Sequence, residues 1–385
     1  MEVKNMTALD YCEFVTDGTH DSPKPKENGF KLITSKHLNR YGIDFTSANF
    51  ISEEDYKKII NRSYVEQWDI LFSMIGTIGN LYIETNSTTN YACKNVGIFK
   101  LGGDEMKSKW LYYYLQSPKA LEYVKAVSRG TTQSYVPLGA LRKMPVDFFD
   151  DTIRDKIVTI LWNLDEKIKL NLEINNNLEQ QAQAIYQQMF IENASSDWAE
   201  GTLSNIADIT MGQSPNGSSY NENGNGTIFF QGRAEFGFRF PTVRLYTTEP
   251  KRMACVNDTL MSVRAPVGDL NVAHTNCCIG RGLAAIHSKN NHQSFVLYTM
   301  FSLKKQLDIF NGEGTVFGSI NRNSLNEMPI IIPSSKKLDE FEALIAPMDA
   351  SIRNNYDEIC HLEQLRDSLL PKLMSGELDV SDIDL

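Results

Sequence analysis

The chain contains one pattern twice, and nothing else in it constrains the fold as tightly. Asp69-Ile-Leu-Phe-Ser-Met-Ile-Gly-Thr-Ile-Gly-Asn80 lies against Asp258-Thr-Leu-Met-Ser-Val-Arg-Ala-Pro-Val-Gly-Asp269 at an offset of 189, sharing Asp, Leu, Ser and Gly. Gly97 meets Gly282 at 185. From Gly130-Thr131 with Gly314-Thr315 onward the offset stays at 184, through Leu141-x-x-Met144-Pro145 with Leu325-x-x-Met328-Pro329 and Leu178-Glu-Gln180 with Leu362-Glu-Gln364. A shared order of matches with a slowly drifting offset marks a duplication. The drift falls between Asn80 and Gly130, which assigns extra loop length to the first copy. A chain of 385 residues exceeds one ordinary core, so duplication predicts two similar modules, each followed by a helical arm.

Within a module, the apolar run Ile70 to Ile75 stops at Gly76-Thr-Ile-Gly-Asn80 and resumes at Leu81-Tyr-Ile83, which reads as strand, glycine turn, strand. Lys109 to Ser128 carries apolar residues at helical spacing and predicts one or two amphipathic helices. Each module is therefore of mixed α+β character. The arms repeat at alternating steps of four and three: Ile157, Leu161, Leu164, Ile168, Asn171, Asn175, Leu178, Ala182, Ile185 and Met189. Phe341, Ile345, Met348, Ile352, Asn355, Ile359, Leu362, Arg366, Leu369 and Leu373 follow in the same phase. Such seams pair helices, and buried asparagine fixes register at a cost in stability. We expect Leu164, Ile168, Asn171 and Leu178 to pair with Met348, Ile352, Asn355 and Leu362; the alternative is an arm packed only on its own module. Pro347 should bend the second arm, and Pro371 should end or kink it. The expected division is 1–150, first module; 151–195, central helix; 196–335, second module; 336–375, C-terminal helix; 376–385, acidic tail.

Catalytic motifs are missing. There is no Walker A sequence and no Asn-Pro-Pro-aromatic run. Asp165-Glu166-Lys167 resembles the end of a nuclease site, but its repeat counterpart Asp349-Ala-Ser351 lacks the lysine and both lie on a helical seam. Cys277-Cys278 has no neighbouring base and reads as buried structural thiol. The six histidines and six cysteines show no metal-ligand spacing. Unpaired cysteines, no leader and no apolar run of membrane length predict a cytoplasmic protein.

Polar, glycine-flanked loops remain, carrying the side chains that bond phosphates and base edges. The first module offers Lys36, His37, Asn39, Thr77, Asn80, Arg129, Thr131, Thr132, Gln133 and Tyr135. The second offers Gln231, Arg233, Arg264, Arg281, Thr315, Ser319 and Arg322. A net charge of -10 is unusual for a nucleic-acid binder, but its location removes the objection. Residues 1–150 hold 18 basic and 18 acidic side chains and 201–335 hold 11 and 9, whereas 151–200 hold 4 and 9 and 336–385 hold 5 and 12. The acidity sits in the arms and tail. Near-neutral modules imply little counterion release and weak DNA binding by the chain alone.

The chain resembles the specificity subunits of type I restriction-modification systems over nearly its whole length. The resemblance rests on Asp17-Gly-Thr-His-Asp-Ser-Pro23, Leu32-Ile-Thr-Ser-Lys36, Ile51-Ser-Glu-Glu-Asp-Tyr56 and the 69–80 run in the first module. In the second it rests on Gly212-Gln-Ser-Pro215, Phe230-Gln-Gly-Arg233, Ser262-Val-Arg-Ala-Pro-Val-Gly-Asp269, Ile279-Gly-Arg-Gly-Leu283 and Phe317-Gly-Ser-Ile320. Leu365-Arg-Asp-Ser-Leu-Leu-Pro-Lys-Leu-Met-Ser-Gly-Glu377 resembles the C-terminal signature. The resemblance implies two target recognition domains, each reading half of a split DNA sequence, separated by two long antiparallel helices in a pseudo-twofold coiled coil. It also implies double-stranded DNA, two methyltransferase subunits and motor-nuclease subunits as partners. No cofactor is expected on this chain itself; S-adenosylmethionine, ATP and magnesium would belong to the partners. Half-site centres about one helical turn, roughly 34 Å, apart suit that arrangement. An arm of about 36 residues spans on the order of 50 Å, enough to set that spacing. The rival expectations are a self-contained DNA-modifying enzyme and a structural coiled-coil adaptor.

Overall fold

The computed structural model describes residues 2–130, 133–312 and 318–384. The chain divides into two compact units, 1–170 with 358–385 and 171–357. Each unit combines one module with a piece of both arms. The arms thus do not stand apart as separate spacers in packing terms.

In the first unit the apolar run folds as strands Ile70–Ser73 and Leu81–Ile83 of a four-stranded sheet. Its order is Phe14–Asp17, Val96–Lys100, Ile70–Ser73, Leu81–Ile83, with every pairing antiparallel. Beside it, Phe30–Thr34 pairs in parallel with Tyr91–Lys94 and antiparallel with Phe50–Ile51. A ribbon of Lys4–Thr7 against Pro145–Phe148 closes the module. The second unit repeats the topology. Its four-stranded sheet runs Ala207–Met211, Leu283–Ser288, Thr259–Ser262, Leu270–Val272, again antiparallel throughout. Thr227–Phe230 pairs in parallel with Cys277–Ile279, and Ala199–Thr202 closes on Pro329–Ile332. Ser73 faces Val96 where Ser262 faces Leu283. The structural counterpart of Gly97 is therefore Ala284, at an offset of 187, and the alignment of Gly97 with Gly282 is corrected by two residues. The 109–128 stretch forms two helices, Glu105–Tyr114 and Pro118–Val127, because Ser117 caps the second through the Ala120 N–H and Pro118 supplies its first turn.

The first arm is a helix over Asp151–Tyr186, closed by a wider π-helical turn at Gln187–Glu192. The second runs over Ser335–Ser375 without interruption. Pro371 thus does not end it. The carbonyls that Pro347 and Pro371 leave without an N–H partner belong to Ala343 and Asp367, both on exposed residues where water can take them. Within the second unit, Asn355 Nδ2 donates to Asn175 Oδ1 at 2.8 Å and Asn175 Nδ2 to the Ile352 carbonyl at 3.3 Å, while Tyr186 and Phe190 meet Phe341 edge to face. In the first unit, Lys167 meets Glu358 and Asp165 meets Arg366 at 2.5 Å. Rising numbers on one arm meet falling numbers on the other, so the arm segments in each unit are antiparallel. Asn355 therefore faces Asn175, and its repeat counterpart Asn171 is itself buried. Ile168 and Ile352 are fully buried; Leu164, Leu178, Met348 and Leu362 are half-buried.

The seams also enter the module cores. Ile153, Ile157, Val158 and Leu161 join Leu370, Leu373 and Met374 under the first module. Ala182, Tyr186 and Phe190 join Phe341, Ile345 and Ile352 under the second. Pairing and packing on the module are combined, not alternatives. The acidic tail is likewise anchored: Val380 is 0% exposed in the first core, and Lys156 Nζ donates to the Ser381 carbonyl at 2.6 Å.

A polar latch recurs at the same place in both units. Tyr113 donates its hydroxyl to Asp165 at 2.7 Å, and Tyr298 to Asp349 at 2.9 Å. Tyr41 donates to Glu363 in the first unit, and Arg239 sits 3.5 Å from Glu179 in the second. Asp165 is thus a structural acceptor, and the nuclease-like Asp165-Glu166-Lys167 is helix surface.

Candidate nucleic-acid interface

In each module one serine ties the glycine turn shut. Ser73 Oγ donates to the Thr77 carbonyl at 2.5 Å and accepts the Asn80 N–H at 2.7 Å. Ser262 Oγ does the same with the Pro266 carbonyl, 2.7 Å, and the Asp269 N–H, 2.9 Å. Gly79 and Gly268 close the turns with φ of +93° and +85°, a region that L side chains enter only with strain. This is why, from Ser73 to Asn80 and from Ser262 to Asp269, serine and the second glycine are the residues the two copies share.

A second loop is fastened to each turn. Gly76 N–H donates to the Ser134 carbonyl at 3.2 Å and Val136 N–H to the Met74 carbonyl at 2.9 Å. Ala265 N–H donates to the Gly318 carbonyl at 3.0 Å and Ile320 N–H to the Val263 carbonyl at 3.1 Å. Ile75 is thereby bridged to Tyr135, and Arg264 to Ser319. Arg129 and Tyr135 exchange two backbone hydrogen bonds at 2.9 and 2.8 Å, closing the 129–135 loop on itself. A third segment completes the group. In the first module the short helix Ser35–His37 lies against the turn, with Asn80 Nδ2 on the Leu38 carbonyl at 2.7 Å. In the second, Gly282 N–H reaches the Gln231 carbonyl at 3.3 Å, beside the helical turn Arg233–Glu235. Three loops distant in sequence thus form one surface in each module.

Lys36, Asn39, Thr77, Arg129, Gln133 and Tyr135 are exposed on the first surface, Tyr135 by 40%. Gln231, Arg233, Arg264, Arg281, Ser319 and Arg322 are exposed in the second module. Thr131, Thr132 and Thr315 lie outside the described residues. His37 is corrected. It is only 3% exposed, its Nδ1 accepts the Thr34 N–H at 2.9 Å, and burial lowers its pKa, so it closes the short helix as a neutral ring. Its counterpart Glu235 accepts the Gly232 N–H at 3.0 Å in the same way. Sequence gave no sign of this because histidine and glutamate share no letter, only an acceptor at the third helical position. Asn80 is half-buried with its amide occupied, and Arg233 is ion-paired to Asp269. The sequence reading missed Asp269 as the counter-ion, although the repeat places it at the Asn80 position of the turn.

Lys100 and Glu66 surround Asp69, a further shared residue, at the base of the first turn. Lys100 Nζ lies 2.8 Å from its carboxylate and the Glu66 N–H donates at 2.7 Å, yet burial pushes its pKa up to about 6. Asp258 takes the same place in the second module, accepting the Cys255 N–H at 2.7 Å and pairing with His287 at 2.6 Å. Cys277 and Cys278 are fully buried in the sheet, and burial raises the Cys277 thiol to about 12. Among the described residues no helix is long and apolar enough to cross a membrane.

Two copies of one module, each holding three tied polar loops clear of its core, define a tandem recognition scaffold. Comparison with known proteins gives the family. Residues 24–180 and 195–345 each match the type I restriction modification DNA specificity domain, and the chain belongs to that family. It is 28% identical to the putative type I restriction enzyme MjaX specificity subunit of Methanocaldococcus jannaschii, covering 96% of this chain and 92% of that one. The MjaIX specificity subunit of the same organism is 24% identical over the same shares of the two chains. The crystal structure of the type I restriction-modification system S subunit from M. genitalium matches with a TM-score of 0.60 at 16% identity, covering 97% of this chain and 96% of that one, and shows the shared fold. The chain is a specificity subunit, the non-catalytic DNA-recognition component of a type I system.

Proposed function

We propose that this chain reads a bipartite, asymmetric sequence in double-stranded DNA, one half-site per module, and so directs adenine methylation and restriction by partner subunits. One observation carries the reading: the two loop groups share a hydrogen-bonded frame but not their side chains. Ile75 stands where the second module has Arg264, Tyr135 where it has Ser319, Thr77 where it has Pro266, and Asn80 where it has Asp269. A common frame with different exposed groups is what two different half-sites require. The reading residues proposed are Lys36, Asn39, Thr77, Arg129, Thr131, Thr132, Gln133 and Tyr135 for one half, and Gln231, Arg264, Arg281, Thr315, Ser319 and Arg322 for the other.

Near-neutral modules leave most of the phosphate grip to partners. Two methyltransferase subunits would bring S-adenosylmethionine, and motor-nuclease subunits ATP and magnesium. Six free thiols suit the reducing cytoplasm in which we place the protein. The paired arms act in this reading as a spacer. Exchanging residues 1–150 for another family member's module, co-expressing with the partners and mapping methylated adenines by single-molecule sequencing tests the proposal. One half of the motif should change; a change in both halves or in neither overturns it.

A further inference from the structure

On the reading of the chain as a base-reading subunit, we propose that its second module recognises a guanine through Arg264, with Arg281 beside it. Val263 N–H donates to the Gly282 carbonyl at 2.9 Å just past the paired strands Thr259–Ser262 and Leu283–Ser288, and Arg264 and Arg281 lie one residue beyond that bond on the two segments. Both are exposed, and neither makes an ion pair with a described residue. Arg233, Arg239 and Arg244 are neutralised, by Asp269, by Asp349 with Glu179, and by Glu235 at 2.6 Å, whereas Arg252 and Arg322 share the unpaired state of Arg264 and Arg281 among the described residues but lie away from the Val263–Gly282 bond in sequence. A guanidinium without a carboxylate partner keeps its donors free for an electronegative group.

Phosphate and guanine both suit an arginine fork, and the repeat decides between them. The frame position of Arg264 is held by Ile75 in the first module, bridged in the same way to the companion loop. A position that grips the backbone serves any sequence and has no reason to lose its charge between copies. A position that reads a base must differ when the half-sites differ: arginine for the O6 and N7 acceptors of guanine, an apolar side chain for a thymine methyl. The frame is also stiff. Arg264 is bridged to Ser319, and Arg281 sits in a tight turn closed by Leu283 N–H on the Gly280 carbonyl at 3.0 Å, with its own N–H on Ser214 Oγ at 3.2 Å. A fixed backbone lets a long side chain present two donors at a set angle.

The test uses the complete chain with its partner subunits. Methylated adenines are mapped for the unaltered protein, for Arg264→Ala, Arg264→Lys and Arg281→Ala, and for a chain whose 196–335 module has been exchanged. The exchange identifies the half-site read by the second module. That half-site should contain a guanine, and Arg264→Ala should relax discrimination there by about 10-fold to 100-fold, leaving the other half unchanged. Arg264→Lys should retain part of it. A half-site without guanine, or a uniform fall in methylation with an unaltered motif, overturns the assignment. If the exchange alters no part of the motif, the base-reading role itself fails, and that result is distinct. Thermal midpoints of the variants, expected to match the parent because both side chains are exposed, separate recognition from folding.

Discussion

Arg239→Met is the sharpest test of how the second unit is held together. The guanidinium is 3% exposed and reaches three elements at once. Its Nη2 bonds Asp349 on the second arm and the Tyr298 hydroxyl of the module, each at 2.8 Å, and Nε lies 3.5 Å from Glu179 on the first arm. Methionine fills similar volume but leaves two carboxylates facing each other. Removing one partner of a buried ion pair costs about 3–5 kcal/mol. Asp349 keeps the Tyr298 and Ser294 hydroxyls at 2.9 and 2.8 Å and is partly wet, so the lower end applies, about 3 kcal/mol. For a domain of this size that corresponds to a fall of roughly 6–12 °C in Tm.

Burial already raises the Glu179 pKa, and loss of the arginine raises it further. A carboxylate whose folded pKa lies above its unfolded value costs stability as pH rises through that range, so the variant's deficit should shrink between pH 7 and pH 5. Adding Asp349→Asn should restore more than half of the loss. Calorimetry and urea unfolding of parent, single and double variants provide the comparison. A single-variant loss below about 1 kcal/mol, or a double variant less stable than the single, would refute the argument.

Three further outcomes follow from the same geometry. Asp69 has its folded pKa near 6 and its unfolded value near 3.9, so it contributes a fall in stability between about pH 4 and pH 6, on the order of 3 kcal/mol at most; Asp69→Asn should flatten that part of a Tm-against-pH curve. Asn175→Leu leaves the Asn355 amide facing an apolar group and should cost about 1–3 kcal/mol in urea unfolding, whereas Asn175→Leu with Asn355→Leu should recover it or exceed the parent. Ser262→Ala removes both ties of the second turn; methylation mapping should show looser discrimination in that half-site alone, with about 1–3 kcal/mol lost in thermal unfolding.

Much of the fold was legible because duplication and helical spacing leave strong marks in sequence. The strand pair around Gly76 to Asn80, the two helices within 105–127 and both arm seams lie where periodicity put them. The packing of each arm piece was not legible. Ile157 and Leu373 carry the same seam signal whether they meet a helix or a sheet, since hydropathy reports burial without naming the partner. The candidate loops were recognisable as polar and glycine-flanked, but their convergence depends on backbone bonds such as Gly76 to Ser134, which no side chain records. His37 failed as a contact for the same reason: its role is set by one hydrogen bond within its own turn. The latch pair Tyr41 and Arg239 was invisible because chemically different residues reach equivalent glutamates.

The composition of the units has a consequence for synthesis. Residues 171–357 form one unit from uninterrupted chain, whereas the other needs 358–385 as well as 1–170. Leu370, Leu373, Met374 and Val380, all in the first core, leave the ribosome only after the whole of the second unit. A nascent chain can therefore complete its second unit while the first still exposes apolar surface awaiting those residues. Order of folding then runs against order of translation, and the first module, though made before the second unit, is the one most in need of protection from aggregation until residues 358–385 emerge.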